Sequence, residues 1–345
     1  MTGNSELICK CFLTNNIFVK SCGIHFTFRG DKEFINDYKE FFSENNYSNF
    51  EISEVIKEIH AEIERRKENG KLSLLRKKII NENYIPLHRE IYVLKDDYLH
   101  REFLCLVQES CHPLTSRKTL INKLLKTEEP EVFRLRVFNK EFCHKMVEEI
   151  EHFNSTNFPK GRPNTMNTLG ILLGEIGFNE SFLNEFRTRF LNPIFSILYP
   201  NCVGKSGFDS HRAFVVVYDC ENQEVDDTGL SLHYDNSEVT INICLNDNFE
   251  DGELFFSGLC NTQSLKYTRV EHKFGFGVLH QGHHLHGAMP ISSGKRYNLI
   301  MWLRSSDVRN LRCPMCDSTP SLIETEGDGD GFTSSNQIVN VCKII

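Results

Sequence analysis

The sequence predicts an α+β protein: a later half of short strands forming a β-sandwich or barrel with helices packed on one side, preceded by a smaller mixed α/β N-terminal region. Three observations carry that reading. Helical periodicities dominate between Asn139 and Leu198, and strand-like runs dominate from Ala213 onward. The charge is also unevenly spread. Residues 1–129 hold 20 of the 39 basic and 20 of the 47 acidic side chains, so the net −8 falls wholly on the remainder. A chain of 345 residues accommodates one large domain and a smaller one.

The elements follow in order. Phe18-Val19 and Ile24–Phe28 read as short strands. Ile52, Val55, Ile56, Ile59 and Ile63 repeat at helical spacing, with Asn69-Gly70 as the expected stop. A boundary is expected near Thr127–Pro130. Phe133–Phe138 alternates as a strand, and Asn139 is placed to cap a helix striped by Phe142, Met146, Ile150 and Phe153. Pro159–Asn167 reads as loop. Asn179 is expected to cap a second helix that buries Phe182, Phe186 and Phe190, and Pro193 opens a third. Ala213–Tyr218 is a buried strand. From Glu238 to Leu245, Val239, Ile241, Ile243 and Leu245 fall on one face and Thr240, Asn242 and Cys244 on the other. Gly252–Phe256, Phe274–Leu279 and Arg296–Leu303 are further strands, and Arg296, Asn298, Ile300 and Trp302 share a face of the last. Residues 306–345 read as a polar tail, with Glu324–Gly331 expected to be mobile.

Composition narrows the function classes. With 40% hydrophobic residues, general disorder is excluded, and no apolar run approaches the roughly 18 residues of a membrane span. The acidic balance argues against nucleic acid as a partner. Thirteen cysteines, an odd number at scattered spacings, point to a reducing compartment. The opening residues show no basic segment followed by an apolar core of about 7–15 residues, so an intracellular location, cytoplasm or nucleus, is expected.

The chemistry concentrates at His233-Tyr234-Asp235. In a strand, residues i and i+2 point to the same face, so an imidazole and a carboxylate converge on one point. A second histidine from a distant strand would complete two nitrogens and one oxygen on one face of a metal, leaving the opposite positions open for iron(II) oxygenase chemistry. Four of the 14 histidines lie between His280 and His286. Only His286 is followed by a glycine and stands ten residues before Arg296 at the start of a strand. A guanidinium there could hold a dicarboxylate through a bidentate pair.

Those residues carry a family resemblance. Phe214–Tyr218, His233–Asn242, Asp251–Phe256, His280-Gln281-Gly282 with His286-Gly287, and Gly294–Leu299 occur in an order that resembles the iron(II)- and 2-oxoglutarate-dependent oxygenases. The chain is most similar to their lysyl/prolyl hydroxylase branch, and within it to the 2-oxoglutarate and iron-dependent oxygenase domain-containing proteins. Pro130–Asn167 resembles the same branch, whereas residues 1–129 resemble nothing of known role. The resemblance implies a double-stranded β-helix (jelly-roll) core with supporting helices, in a dioxygenase domain spanning 130–305. It implies Fe(2+) held by His233, Asp235 and His286, and Arg296 on the distal carboxylate of 2-oxoglutarate. Tyr218 and Asn242, nine positions after His233, would also face the cosubstrate. It further implies O2 as oxidant, L-ascorbate as supporting reductant, and hydroxylation of an aliphatic C–H of a protein lysyl or prolyl side chain with release of succinate and CO2. No catalytic residue beyond the metal ligands is implied. The alternative is a jelly-roll metal-binding interaction scaffold with little or no activity.

Three further signals stand apart. Lys71–Lys78 is basic and reads as a solvated helix face. The loop from Asp219 to Ser231, carrying Asp219, Glu221, Glu224, Asp226 and Asp227, would suit a basic peptide near the pocket mouth. Cys313-Pro314-Met315-Cys316 is half a zinc knuckle whose missing donors could be His283, His284 or Cys342, with nothing in the sequence joining them.

Overall fold

A computed structural model of the chain describes residues 5–222, 225, 227–259 and 267–326. They fall into two compact units: the residues up to Leu74 together with those from Asn310, and Leu75–Arg309. The division expected near residue 129 therefore lies inside the second unit.

Sixteen strands occur among the described residues. They are β1 (Ser5–Cys9), β2 (Ile17–Val19), β3 (Ile24–Phe26), β4 (Leu125–Lys126), β5 (Phe133–Arg136), β6 (Gly170–Leu172), β7 (Ser210–Asp219) and β8 (Leu230–His233). They continue as β9 (Val239–Cys244), β10 (Phe249–Asp251), β11 (Leu254–Leu259), β12 (Thr268–Val270), β13 (Phe276–Gln281), β14 (His284–Ala288), β15 (Ile291–Arg304) and β16 (Leu322–Glu326).

In the second unit the strands form two antiparallel sheets. The larger has the order β4-β5-β13-β9-β15-β7-β6, with β10 pairing on β15, and the smaller has the order β12-β11-β14-β8. Side-chain alternation sorts the large sheet into two faces. Ala213, Val215 and Val217 of β7, Val239, Ile241 and Ile243 of β9, and Tyr297, Leu299, Met301 and Leu303 of β15 join the core shared with the helices. The opposite parity, Phe214, Val216 and Tyr218 with Ile300 and Trp302, packs with Leu254, Phe256, Val270 and Ala288 of the small sheet. Both faces of the central strands are thus covered, which explains their near-continuous apolar runs.

The helix Lys140–Asn154 forms as its sequence requires. Asn139 accepts a hydrogen bond from the Phe142 amide, and Phe142, Met146, Ile150 and Phe153 are buried. The helix at Asn192–Leu198 carries its proline in the first turn. Asn179, by contrast, makes no side-chain cap. The segment it precedes is wound as π-helix, with the Asn184 amide reaching the Asn179 carbonyl at 3.1 Å, though Phe182, Phe186 and Phe190 are buried as expected.

In the first unit, β2 and β3 form a hairpin whose Ile17, Val19 and Phe26 pack with Phe34, Phe42, Val55 and Ile59. The helix bearing Val55 and Ile59 does not stop at Asn69-Gly70 but runs from Asn49 to Asn83. A helical glycine costs only about 1 kcal/mol, and the good helix formers Lys71, Leu72, Leu74, Leu75 and Arg76 carry the helix onward. The tail is also more ordered than expected. Ser306–Arg309 is helical, and Glu324, Thr325 and Glu326 are part of β16, which pairs with β1. The rest of the expected mobile stretch, 327–331, lies outside the described residues. Among the described residues no helix is long and apolar enough to cross a membrane.

Candidate metal centre

Strand parity puts Asn242, Arg296 and Asn298 on the face of the large sheet turned toward the small one, and the small sheet supplies two histidines. His233 ends β8 and stands directly opposite His286 of β14, their rings 4.3 Å apart. Asp235 follows the strand end, its amide donating to the Gly282 carbonyl at 2.9 Å. That approach needs a glycine: a Cβ on residue 282 would lie 1.9 Å from the Ser237 carbonyl oxygen. The ligand atoms of His233, Asp235 and His286 all lie within 4.8 Å of one another. Nε2 of His233 is 3.6 Å from Asp235 Oδ1, and Nε2 of His286 is 3.7 Å from Oδ2.

Second partners fix each ligand. Nδ1–H of His233 donates to the Ser231 carbonyl and Nδ1–H of His286 to the His284 carbonyl, both at 2.8 Å. Each imidazole is thereby held in the tautomer that presents a lone pair on Nε2 toward the carboxylate. Thr240 Oγ1 donates to Asp235 Oδ2 at 2.6 Å, and Ser237 is hydrogen-bonded to Thr240 in turn. Burial drives the Asp235 carboxyl upward, but His286, His233 and His280 around it outweigh that and hold it below the usual carboxylate range. Burial first, then the nearby His233, pushes the His286 imidazole down to about 4. The group therefore offers two imidazole nitrogens, each with Nε2 free to bind, and one anionic oxygen.

The other histidines of the cluster go elsewhere. His284 turns to Glu129, at 3.9 Å, and His283 lies against Tyr234. His280 is fully buried, with Nε2 3.9 Å from Asp235 Oδ2.

Arg296 is the second half of the site. It is 0% exposed and sits directly across the β7–β15 ladder from Tyr218, its guanidinium carbon 4.3 Å from the tyrosine ring centre. One nitrogen donates to the Gly252 carbonyl. Gly252 has φ +80°, and a Cβ there would press to 2.7 Å from the guanidinium, so both conformation and space require glycine. Nε and Nη2 of Arg296 have no hydrogen-bond partner among the described residues, and neither does Asn242 Oδ1. Leaving such buried groups unpaired is costly, so this is a place built to receive an anion. Burial pushes the Tyr218 phenol up, with Arg296 pulling the other way.

Asn298 was missed as a site residue. It is fully buried two residues beyond Arg296 on the same face, and both its amide atoms lack a partner among the described residues. Period-two counting from Arg296 was the signal that could have found it. The acidic loop needs correction. Asp227 is buried and accepts the Thr168 and Leu169 amides at 2.6 and 2.8 Å, and Asp219 pairs with Lys295 at 3.1 Å, so neither is free to meet a basic peptide. Glu224 and Asp226 lie outside the described residues.

Two imidazoles and one carboxylate converging on one point are the donor set of a non-haem iron(II) centre with open positions. Comparison with known proteins agrees. An OGFOD2-like domain model matches residues 80–204, ahead of the triad. The chain is 44% identical over 343 residues, 97% of each chain, to 2-oxoglutarate and iron-dependent oxygenase domain-containing protein 2 of Xenopus tropicalis. It is 29% identical over 218 residues, 61% of this chain and 27% of the relative, to procollagen-lysine,2-oxoglutarate 5-dioxygenase 1 of Rattus norvegicus. A solved prolyl 4-hydroxylase from Phytophthora capsici is 15% identical and covers 61% of this chain and 67% of its own, with a TM-score of 0.41. The chain belongs to the 2-oxoglutarate and iron-dependent oxygenase domain-containing protein 2 family, whose cofactors are Fe(2+) and 2-oxoglutarate.

Proposed function

We propose that this chain is a dioxygenase that hydroxylates an aliphatic C–H of a protein lysyl or prolyl side chain. In that reaction the substrate C–H, O2 and 2-oxoglutarate become the C–OH, succinate and CO2. The two sheets are read as the two halves of a double-stranded β-helix. The observation that carries the proposal is the pairing of a His-Asp-His group with a fully buried arginine whose Nε and Nη2 lack partners. A metal-binding scaffold would have no need of that arginine.

Each residue then has a role. Nε2 of His233, Nε2 of His286 and the Asp235 carboxylate would hold Fe(2+), with Thr240 and the Ser231 and His284 carbonyls fixing their orientation. Arg296 would take the distal carboxylate of 2-oxoglutarate, and Tyr218 and Asn242 would line the same cosubstrate. Iron with 2-oxoglutarate and O2 supplies the oxidising power, while the protein supplies binding, orientation and a dry cavity. L-ascorbate is the proposed supporting reductant. The similarity to a relative named as a procollagen-lysine dioxygenase supports a protein or peptide substrate. A reducing, intracellular setting suits the eleven cysteines among the described residues, all of them free.

A decarboxylation screen tests the proposal. The full chain with Fe(II), ascorbate and 2-oxoglutarate is offered pools of lysine- and proline-containing peptides, and products are read by mass spectrometry. Succinate release stimulated by a pool, with oxygen added at lysine or proline, is the expected result. Stimulation only by pools lacking both residues would overturn the substrate class.

A further inference from the structure

The unabsorbed half-knuckle of the sequence is completed by a pair of cysteines some three hundred residues away. Cys9 ends β1, and Cys11 opens the short helix Cys11–Thr14. Strand β1 runs antiparallel to β16, with Cys9 opposite Leu322, and the Lys10 amide donates to the Ser321 carbonyl at 2.7 Å. The turn just before β16 carries Cys313 and Cys316. It is closed by the Asp317 amide on the Cys313 carbonyl and by the Cys313 amide on the Ser318 carbonyl, both 2.9 Å, with Asp317 at φ +56°. All four Sγ atoms consequently lie within 4.8 Å of one another, Cys11 and Cys313 at 3.5 Å. The four are free thiols.

That spacing is what a single tetrahedral ion needs. With Zn–S bonds of about 2.3 Å, the sulfurs of a regular tetrahedron stand about 3.8 Å apart. The alternation of one intervening residue at Cys9–Cys11 and two at Cys313–Cys316 gives two chelating pairs on crossing segments. The local packing also calls for a staple. A two-stranded sheet is at best marginal on its own, and among the described residues its small core has Cys9 and Cys313 buried, with Cys11, Met315, Cys316 and Leu322 packed against them. Thiols make a poor core but a good closed site for a borderline-soft, redox-inert cation.

We propose that Cys9, Cys11, Cys313 and Cys316 bind a single zinc ion in a closed, structural site that ties β1 to the segment leading into β16. Of the donors the sequence left open, His284 is turned to Glu129, His283 lies against Tyr234, and Cys342 lies outside the described residues. Zinc coordination would contribute directly to folding of this unit, because a site assembled from such distant ligands does not exist in the unfolded chain.

The test uses the full chain, purified under reducing conditions, as wild type, Asp235→Ala, and Cys313→Ser with Cys316→Ser. Inductively coupled plasma mass spectrometry should find about one zinc per chain in wild type and in Asp235→Ala, and none above background in the cysteine variant. Cobalt loaded into Asp235→Ala should show thiolate-to-cobalt charge transfer and the intense visible bands of tetrahedral coordination. Should the cysteine variant fail to fold, native alkylation of wild type decides. The four thiols should resist modification until a zinc chelator is added. Absence of zinc from wild type, zinc that disappears with Asp235 rather than with the cysteines, or recovery of these cysteines as disulfides would each overturn the proposal.

Discussion

The molecule carries two clusters of ligand-type side chains, and they are built on opposite plans. His233, Asp235 and His286 come from paired strands of one sheet and its adjoining turn, offer nitrogen and oxygen, and would cover one side of a metal. Cys9, Cys11, Cys313 and Cys316 come from segments separated by 302 residues at the Cys11–Cys313 contact, offer only sulfur, and close around a point. Three donors with an anion-seeking arginine nearby leave room for reactants; four donors leave none. With the roles proposed above, the contrast would separate a place for chemistry from a place for stability, and it rests on donor type and donor number rather than on burial, which both clusters share.

The largest effect that would sharpen this contrast is on cosubstrate binding. Arg296→Ala should raise the 2-oxoglutarate requirement for decarboxylation about 10²-fold, taking a buried charge-assisted pair as worth roughly 3 kcal/mol. Its zinc content should stay that of the wild type. A steady-state titration of 2-oxoglutarate reads the first quantity, and an unchanged requirement would mean that another group holds the carboxylate.

Acid should single out the second unit. Burial, with Arg187 and Arg304 nearby, pushes His211 down to about 3, and burial with Arg296 does the same to His272, whose Nε2–H donates to the Asn242 carbonyl at 3.0 Å. In the unfolded chain both would titrate near 6.5. Unfolded protein therefore takes up protons that the native state refuses between about 6.5 and 3. The contribution to stability is intact above that window and is lost as pH falls through it, by up to about 1.4 kcal/mol per pH unit for each group. Urea unfolding of metal-free protein at pH 7 and pH 5 should show the loss. His211→Asn with His272→Gln should lower the slope by the share of these two groups, leaving that of the other buried histidines such as His286, and an equally steep dependence in that double variant would count against the assignment.

The two clusters also differ in how much of each was legible in the sequence. Strand alternation placed Asn242 off the apolar face of β9 and Arg296 on the face of Ile300 and Trp302, because a period of two is written into every half-buried strand. His286 was legible from its spacing to Arg296, since the two lie on consecutive strands of the chain, β14 in the small sheet and β15 in the large one. Asn298 obeyed the same parity and shares the face of Arg296, but parity alone gives a residue a face and not a role. The cysteine site was hidden for a different reason: pairing between β1 and β16 joins distant segments, and no local periodicity encodes which strand a strand will meet. The helix through Gly70 and the π-helix after Asn179 show local signals losing to their surroundings. Good helix formers and packing outweigh one glycine, and the fit of Phe182, Phe186 and Phe190 into the core prevails over a capping side chain.

The most direct test of the account is spectroscopic. Wild-type protein given Fe(II) and 2-oxoglutarate without oxygen should develop the visible metal-to-ligand charge-transfer band of a chelated keto acid, and Asp235→Ala should not. The cysteine variant, where folded, should retain the band. A folded wild type with no band at saturating iron and 2-oxoglutarate, or an Asp235→Ala protein with an undiminished one, would contradict the assignment of His233, Asp235 and His286 as the centre where the chemistry takes place.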